Sequence, residues 1–363
     1  MGLYPWYYAK VDKISLQEKI FFNAINLALE SSYSRLKELS QKESWALAWS
    51  SLPSNLQNNI DPEKEWAKLE KNNIHLLFIE DEKYPNLLKE IPLPPFGLYY
   101  QGNLPSVKKI TLAIVGTRKA TQNGLKTAKH FAKLIGETGC TIVSGLALGI
   151  DAAAHAGALE SNASTIAVLA RGLDQYYPAQ NHSLAQKILE KGGLIVSEYP
   201  PGTPALPYRF LERNRIISGL SKGVLLIETP HHSGSEATAR FALDQNRDVF
   251  VVPGPIDHPN FSGSHNLIRL GATLVSEPNH VLETIIPNWN NANQSKAKNR
   301  SLNQNLNENE KAIIKALQNS GSPLSVDKIV ELTNLNPKTT NQTLGFLVIK
   351  NIIQETESGY TIN

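Results

Sequence analysis

Two stretches of the sequence decide the fold: residues 112–118 read LAIVGTR, and residues 141–151 read TIVSGLALGID. Each begins with a short aliphatic run, reaches a glycine and continues into a segment with helical spacing. Aliphatic runs of this kind are typical of parallel strands that are buried on both faces of a sheet. The two stretches therefore predict parallel strands, each followed by a helix.

The same alternation continues from residue 110 to about residue 286. Strands are predicted at Leu112–Val115, Thr141–Val143, Thr165–Leu169, Leu194–Val196, Val224–Ile227 and Val249–Val252. Helices are predicted at Thr121–Glu137, Ile150–Glu160, Ser183–Lys191, Glu236–Gln245 and Gly263–Leu270. This order predicts the α/β class, with a doubly wound, Rossmann-like sheet that is covered by helices on both faces. We assign residues 73–287 to this domain.

Length and composition allow further domains around this one. The 363 residues suffice for two or three domains of roughly 150 residues each. The hydrophobic share of 41% and the charged share of 19% are those of a globular protein. The net charge of +3 permits a polyanionic partner without requiring one. The single cysteine, Cys140, excludes an internal disulfide and a thiolate metal site.

The segment before the α/β domain predicts a small helical domain at residues 1–72, similar to a SAM or helix-hairpin domain. Apolar residues between positions 16 and 56 recur at helical spacing, and Ser15 can cap the first helix. Residues 74–79 form a short extended stretch, and the prolines of residues 91–96 predict an irregular connection. Neither a signal-peptide pattern nor a run of about 18 apolar residues occurs, so we expect a cytoplasmic protein without a membrane partner.

After the α/β domain we predict a flexible linker at residues 288–307 and a winged-helix domain at residues 308–363. Asparagine, glutamine, serine and lysine dominate the linker, which leaves little apolar surface to bury. Three amphipathic helices and a two-stranded hairpin follow, as in a winged helix. Winged helices often read duplex DNA. Because acidic residues outnumber lysines here, we expect a protein contact or an accessory role instead.

The first predicted strand leads into Gly116, Thr117 and Arg118. Gly116 lets the backbone approach a ligand closely, Thr117 offers a hydroxyl, and Arg118 offers a forked donor. Doubly wound folds bind ligands at this edge, beyond the carboxyl ends of the strands. The three residues therefore predict a phosphate-binding turn, with a plain strand-to-helix turn and a surface arginine as the alternative.

The second predicted strand leads into a turn that contains Ser144, Gly145 and Gly149. Such a turn favours an anion, because its amides and the dipole of the following helix point toward the ligand. The G-x-G-x-x-G spacing of dinucleotide sites is absent, and no lysine follows as in a P-loop, so we expect no nucleotide cofactor. His155, one turn into the helix, is predicted to be packed rather than catalytic.

Two later segments complete the candidate site. Residues 209–215 read RFLERNR, and residues 233–239 read SGSEATA. The candidate DNA contacts in them are Arg209, Arg213, Asn214, Arg215, Ser233, Gly234, Ser235 and Thr238. Arginines bind phosphates, Phe210 or Tyr208 can stack on a base, and the second segment is a hydroxyl-rich helix start. The alternative for the arginines is a solvated basic face paired with Glu212.

Signs of catalysis are missing from the sequence. No Ser/His/Asp order, no paired carboxylates and no metal-ligand spacing stand out, and the adjacent pair His231-His232 does not have the spacing expected of metal ligands. We therefore expect a protein that is not an enzyme and that needs no metal or cofactor.

Taken in order, these motifs resemble those of the DprA family (DNA processing protein A, also called Smf). They are IVGTR at 114–118, SGLALGIDA at 144–152, AHAGAL at 154–159, GLD at 172–174, YP at 177–178, SE at 197–198, RNRIISGL at 213–220, SGS at 233–235 and VPG at 252–254. The motifs cover the whole central domain.

The resemblance implies a protein of natural transformation that binds incoming single-stranded DNA without sequence preference, protects it and loads RecA recombinase. It also implies a homodimer formed through the central domain, and displacement of single-strand-binding protein. The pocket arginine of the family corresponds to Arg118, and nearby basic residues to Arg213 and Arg215. Many relatives have a lysine where this chain has Ala179, and we expect Arg209 or Arg171 to replace its charge.

Two other functions stay open at this point. Similar Rossmann domains occur in phosphoribohydrolases of the lysine-decarboxylase-like group, whose P-G-G-x-G-T-x-x-E pattern ends in a catalytic glutamate. Here Arg240 stands near the position of that acid. The second alternative is a nucleotide-sensing module, in which the same turns hold a small phosphorylated ligand. Competition between mononucleotides and an oligonucleotide distinguishes the small ligand from the polymer.

Overall fold

The computed structural model describes residues 14–105, 109–287, 289, 306–320, 322–349, 352–356 and 358–362. The chain divides into two compact units, Met1–Ile286 and Pro287–Asn363. Residues 288 and 290–305, most of the predicted linker, lie outside the described residues. The domain limits given above stay predictions.

A nine-stranded sheet forms the centre of the first unit, in the order β1-β2-β6-β5-β4-β3-β7-β8-β9. The strands are β1 (His75–Phe78), β2 (Gly97–Gly102), β3 (Thr111–Gly116), β4 (Thr141–Ser144), β5 (Thr165–Leu169), β6 (Leu194–Ser197), β7 (Gly223–Ile227), β8 (Asp248–Val251) and β9 (Thr273–Leu274). The strands from β6 to β9 in this order are parallel, whereas β2 pairs antiparallel with β6, and β1 with β2. The predicted α/β class with a large parallel sheet is confirmed.

Helices surround this sheet. They are α1 (Leu16–Ala28), α2 (Tyr33–Leu39), α3 (Trp45–Ser50), α4 (Ser54–Gln57), α5 (Pro62–Lys71), α6 (Asn86–Lys89), α7 (Gln122–Glu137), α8 (Ile150–Glu160), α9 (His182–Glu190), α10 (Pro207–Gly219), α11 (Gly234–Asp244), α12 (Ser262–Arg269) and α13 (Pro278–Ile285). Short 3-10 turns occur at Ala179–Asn181 and Pro259–Phe261.

The strands are buried on both faces, as their aliphatic runs predict. Ile166 and Val168 of β5 pack into one core with side chains of α10, α11 and α12. Ala167 and Leu169 pack into the other core with side chains of α1, α2, α3, α5 and α9. This division follows from the strand geometry, since successive side chains point to opposite faces.

Helix α10 and strands β2 and β9 are additions to the predicted elements. Charged residues at positions 209, 212, 213 and 215 obscure the apolar spacing of α10, although Pro207 at its first turn is a favourable helix start. Strand β2 directly follows the prolines of residues 91–96 and extends the parallel sheet by an antiparallel edge.

The amino-terminal helices pack directly on the sheet and share its core. The ring of Phe22 in α1 makes edge contacts with Trp45 and with Phe78 of β1, at centroid distances of 4.9 and 4.8 Å. The Asn26 side chain donates a hydrogen bond of 3.2 Å to the carbonyl of Glu198, just beyond β6. Strand β1 and helix α1 therefore belong to one packed unit.

The second unit contains α14 (Glu308–Ser320), α15 (Val326–Thr333), α16 (Pro337–Ile349) and the antiparallel pair β10 (Ile353–Thr356) and β11 (Gly359–Ile362). Its core is formed by Ile313, Ile314, Leu317, Ile329, Leu344, Leu347 and Ile353. Three helices and a hairpin stand where the sequence predicts them, and the winged-helix assignment stays a prediction. In neither unit does a described helix combine the length and the apolar character needed to cross a bilayer.

Phe22→Ala tests the shared core. Phe22 is 1% exposed, so its truncation should lower the free energy of unfolding by about 3–5 kcal/mol. Leu16→Ala is the matched control, because Leu16 lies on the same helix but is 60% exposed and should change stability by less than about 0.5 kcal/mol. Urea unfolding followed by circular dichroism measures both. Separate melting of the helices, with the transition of the sheet unchanged, would contradict the shared core.

Candidate functional site

A cavity of about 290 Å³ lies beyond the carboxyl end of β3, between α10 and the start of α11. It is lined by Val115, Gly116, Thr117, Arg118, Ala147, Asp151, Phe210, Leu211, Arg213, Asn214, Ile217, Ser233, Gly234, Ser235 and Thr238. The strand order reverses here, since the chain proceeds from β3 to β4 on one side and reaches β7 on the other. Open α/β sheets bind ligands at such a switch point. The structure thus brings most of the predicted site residues together.

The first turn depends on a close approach of β3 to β7. A Cβ atom on Gly116 would lie 1.9 Å from the carbonyl oxygen of Ile227, so only glycine fits there. The N–H of Thr117 donates to the carbonyl of Glu228 at 3.0 Å. Arg118 is exposed, and its guanidinium lies 4.7 Å from the centre of the Phe210 ring. Among the described residues, no carboxylate forms an ion pair with Arg118.

The turn before α11 contributes polar groups from the opposite side of the cavity. Ser233 caps the helix by accepting from the N–H of Glu236 at 3.2 Å, and its hydroxyl also lies 2.9 Å from that of Ser235. The Asn214 side chain donates to the carbonyl of Gly234 at 3.0 Å, which ties α10 to this turn. The positive end of the α11 dipole therefore borders the cavity, where it favours an anion.

The turn between β4 and α8 already holds an anion, which is the carboxylate of Asp151. The N–H of Gly145 donates to Asp151 Oδ2 at 3.0 Å. The Ser144 hydroxyl donates to the carbonyl of Ile114 at 2.7 Å. Gly149 adopts φ +81°, and a Cβ atom there would lie 2.4 Å from the carbonyl oxygen of Thr117. Ser144, Gly145 and Gly149 do not line the cavity. They contact Ile114, Asp151 and Thr117 and so shape the backbone next to it.

Arg213 links this second turn to the cavity. It is 3% exposed, and its guanidinium donates to the carbonyls of Gly145, at 2.8 Å, and Val168. Burial lowers the pKa of Arg213 to about 10, while the Asp151 carboxylate opposes that shift and Arg118 adds to it. Burial also raises the pKa of Asp151, which the Arg213 charge counteracts. The buried pair compensates itself, and Arg118 adds positive charge at the cavity.

Arg209 and Arg215 lie outside the cavity lining. Arg215 is 6% exposed, and its Nη2 donates to both carboxylate oxygens of Glu198 at 2.6 Å. Arg209 is 2% exposed, donates to the carbonyl of Pro204 and lies 5.2 Å from the Tyr199 ring centre. The period of the helix explains why neither arginine lines the cavity, because the face of α10 that does so contains Phe210, Asn214 and Ile217. A DNA contact by either arginine stays a prediction.

Glu228 and Asn260 are residues that the sequence did not single out and that hold the first turn in place. Glu228 is 1% exposed, adopts φ 51°, and its carboxylate accepts from the backbone N–H of Thr121 at 2.9 Å and from that residue's hydroxyl. Asn260 Nδ2 donates to the same carboxylate at 2.9 Å and to the carbonyl of Lys119 at 3.1 Å. Glu228 thus holds the residues on either side of Arg118: its backbone carbonyl holds Thr117, its carboxylate holds Thr121, and Asn260, bound to that carboxylate, holds Lys119. Its left-handed backbone is invisible to pattern analysis.

His155 is packed in the interior as predicted, and Cys140 is buried as well. His155 is fully buried with Nδ1 2.8 Å from the Thr165 hydroxyl, and burial lowers its pKa to about 3. Burial raises the pKa of the Cys140 thiol to about 12. Neither group suits acid–base or nucleophilic chemistry near neutral pH.

The family model described as DNA recombination-mediator protein A matches residues 75–286, which is more than half of the chain. This chain belongs to that family. Family membership confirms the resemblance that the motifs predicted, and the matched residues include every part of the cavity lining.

Relatives and solved structures of the same family agree with this match. The chain is 46% identical to protein Smf of Escherichia coli K12 over 217 residues, which cover 60% of this chain and 58% of the relative. The X-ray structure of DNA processing protein A (DprA) from Streptococcus pneumoniae aligns with a TM-score of 0.61 and 34% identity, covering 76% of this chain and 99% of that one. The Helicobacter pylori DprA structure aligns with a TM-score of 0.53 and 30% identity, covering 58% and 96%.

The buried Arg215 and the exposed Arg118 give opposite expectations for stability. Arg215→Ala leaves the buried Glu198 carboxylate without its partner and should lower the free energy of unfolding by about 3–5 kcal/mol. Arg118→Ala removes an exposed side chain and should change it by less than about 0.5 kcal/mol. Equal stability of the two variants in urea unfolding would contradict this division.

Proposed function

We propose that the cavity binds a backbone phosphate of single-stranded DNA, without sequence preference and without catalysis. Arg118 carries the proposal, because it is an exposed guanidinium at the cavity and forms no ion pair with a carboxylate of the described residues. Opposite it, the start of α11 presents Ser233, Gly234 and Ser235. A fork of donors that faces a helix N-terminus suits a phosphate.

Aromatic side chains beside Arg118 support a single strand over a duplex. Phe210 lines the cavity, and its ring centre lies 5.6 Å from that of Tyr177, which is 42% exposed. Tyr208 is 48% exposed one residue before Arg209. Bases stack on such rings only when they are unpaired, and stacking tolerates every base. The combination fits a sequence-independent single-strand binder.

The relatives support the same proposal. The Helicobacter pylori protein is described as having a unique single-stranded DNA binding mode. For this chain we propose the corresponding role: it protects incoming DNA during natural transformation, loads RecA recombinase and displaces single-strand-binding protein. The second unit, as a winged helix, would serve contacts with proteins.

The absence of catalysis is part of the proposal. Asp151 is the carboxylate in the cavity lining, and it is engaged by the N–H of Gly145 and by the charge of Arg213. We assign Asp151 to holding the turn between β4 and α8 rather than to proton transfer from a ligand. The hydrolase alternative predicts release of a base from nucleoside monophosphates, and we expect none.

Arg118→Ala should weaken binding of an oligothymidylate by about 10- to 100-fold, because one charge-assisted phosphate contact is lost. The slope of log K against log salt should become shallower by about 0.7, the value for one single-strand phosphate. Arg118→Lys should restore binding only in part, since an ammonium cannot form two parallel hydrogen bonds. Fluorescence anisotropy over a salt series measures all three quantities.

Arg269→Ala is the matched control for charge, because Arg269 lies on α12, outside the cavity lining, and is exposed. It should retain both the affinity and the salt slope of the unmodified protein. A folded Arg118→Ala variant with undiminished affinity would refute the proposed site. Equal competition by duplex DNA would refute single-strand selectivity, and equal competition by mononucleotides would favour the sensing module.

A homodimer through the central domain is the proposed assembly, since linked sites gain avidity on one strand. Removing residues 288–363 should leave the dimer intact, because the first unit is compact by itself. Light scattering at micromolar concentration measures the mass. A dimeric full chain with a monomeric first unit would place the interface in the second unit instead.

A further inference from the structure

Three side chains with metal-binding chemistry meet where the loop after β7 enters α11. His231 and His232 lie in the loop, and Glu236 lies in the first turn of the helix. Their candidate ligand atoms all lie within 4.8 Å of one another. The imidazole rings are exposed and 3.9 Å apart between centroids, whereas Glu236 is 2% exposed. This cluster directly precedes the Ser233 turn of the cavity.

The two oxygens of Glu236 have different partners. Oε2 accepts from the N–H of His232 at 2.6 Å, and the N–H of Glu236 itself donates to Ser233 Oγ. These bonds fix the carboxylate. Oε1 lies 3.3 Å from His231 Nδ1 and 3.6 Å from Arg240 Nη2. One oxygen therefore holds the side chain in position, and the other lies beside the imidazole of His231.

The charge of this buried carboxylate is only weakly compensated. Arg240 is 67% exposed at its side chain, and ion pairs with exposed partners are weakened by water. His231 contributes a positive charge only when it is protonated. The helix N-terminus supplies a partial charge of about one half. A buried carboxylate is stabilised much more strongly by a full cationic ligand.

We propose that His231, His232 and Glu236 bind a divalent transition-metal ion such as Zn²⁺. Two imidazoles and one carboxylate form a donor set that proteins use for such ions where coordination positions stay open for a further ligand. Three atoms at about 2.1 Å from one tetrahedral ion lie about 3.4 Å apart. The present separations are up to 4.8 Å, and metal binding therefore requires the two exposed imidazole rings to rotate toward the carboxylate.

Zinc titration of the untagged full-length protein tests the site without DNA. Isothermal titration calorimetry should show one Zn²⁺ per chain, and Co²⁺ should give a visible absorption band of the bound ion. His231→Ala, His232→Ala and Glu236→Gln should each weaken binding by more than the roughly 10- to 100-fold that loss of an outer-shell partner costs. Unchanged Zn²⁺ affinity in the histidine variants, or no binding at all, would overturn the proposal.

Two further variants separate this site from adventitious binding. His280→Ala is the matched control, because His280 also faces a glutamate, with Nε2 3.1 Å from Glu277 Oε1, but belongs to a different helix. It should retain the affinity. Arg240→Ala should bind Zn²⁺ more tightly, because it removes the cation that competes for Glu236 Oε1. Weaker binding by Arg240→Ala would contradict the assignment of Oε1 as a ligand.

A bound ion beside Ser233 would add positive charge next to the proposed phosphate site, and this step rests on the proposed function. Zn²⁺ should therefore raise the affinity of the unmodified protein for an oligothymidylate but leave that of His231→Ala unchanged. An equal effect on both proteins would overturn the coupling. If neither the unmodified protein nor His231→Ala bound DNA, the proposed function would be wrong. The zinc titration would still test the metal site, because it is carried out without DNA.

Discussion

The close approach of β3 and β7 at Gly116 is the constraint on which the site depends. A side chain at this position would collide with the backbone of Ile227, so the two strands could not stay in register to their carboxyl ends. Their pairing sets the switch point of the sheet, because α7 leads from β3 to β4 on one side and α11 leads from β7 to β8 on the other. The connections that follow β3 and β7 run in opposite directions along the sheet, and the cavity is the space between them.

Charge around the cavity is divided between buried pairs and Arg118. Arg213 and Asp151 each favour the charged form of the other, and Arg215 forms an ion pair with Glu198 outside the cavity lining. These contacts hold both guanidinium groups inside the protein. Arg118 is exposed, lines the same cavity as the helix start of α11, and forms no ion pair with a carboxylate of the residues that the structure describes. The proposed function therefore rests on this residue more than on the number of arginines nearby.

Sequence patterns predicted the parallel sheet and most of the residues that the structure brings together around the cavity, because aliphatic runs and glycine turns are local signals. The patterns could not show which of the three turns, after β3, after β4 or before α11, is free to bind an anion, since all three have suitable residues. Only the packing shows that the Asp151 side chain occupies the turn after β4. Nor could the patterns separate Arg213 from Arg215, because the register of α10 was hidden by its charges. Glu228, which holds the first turn through contacts more than a hundred positions away in sequence, has no local signature.

The proposed function requires that a DNA phosphate occupies the cavity between Arg118 and the start of α11. A crystal structure of the protein with a short oligothymidylate tests this most directly. We expect a backbone phosphate in the cavity, with Arg118 nitrogens about 2.7–2.9 Å from its oxygens, and an unpaired base against Phe210. DNA bound elsewhere on the protein, with Arg118 still against Phe210 and no phosphate in the cavity, would contradict it.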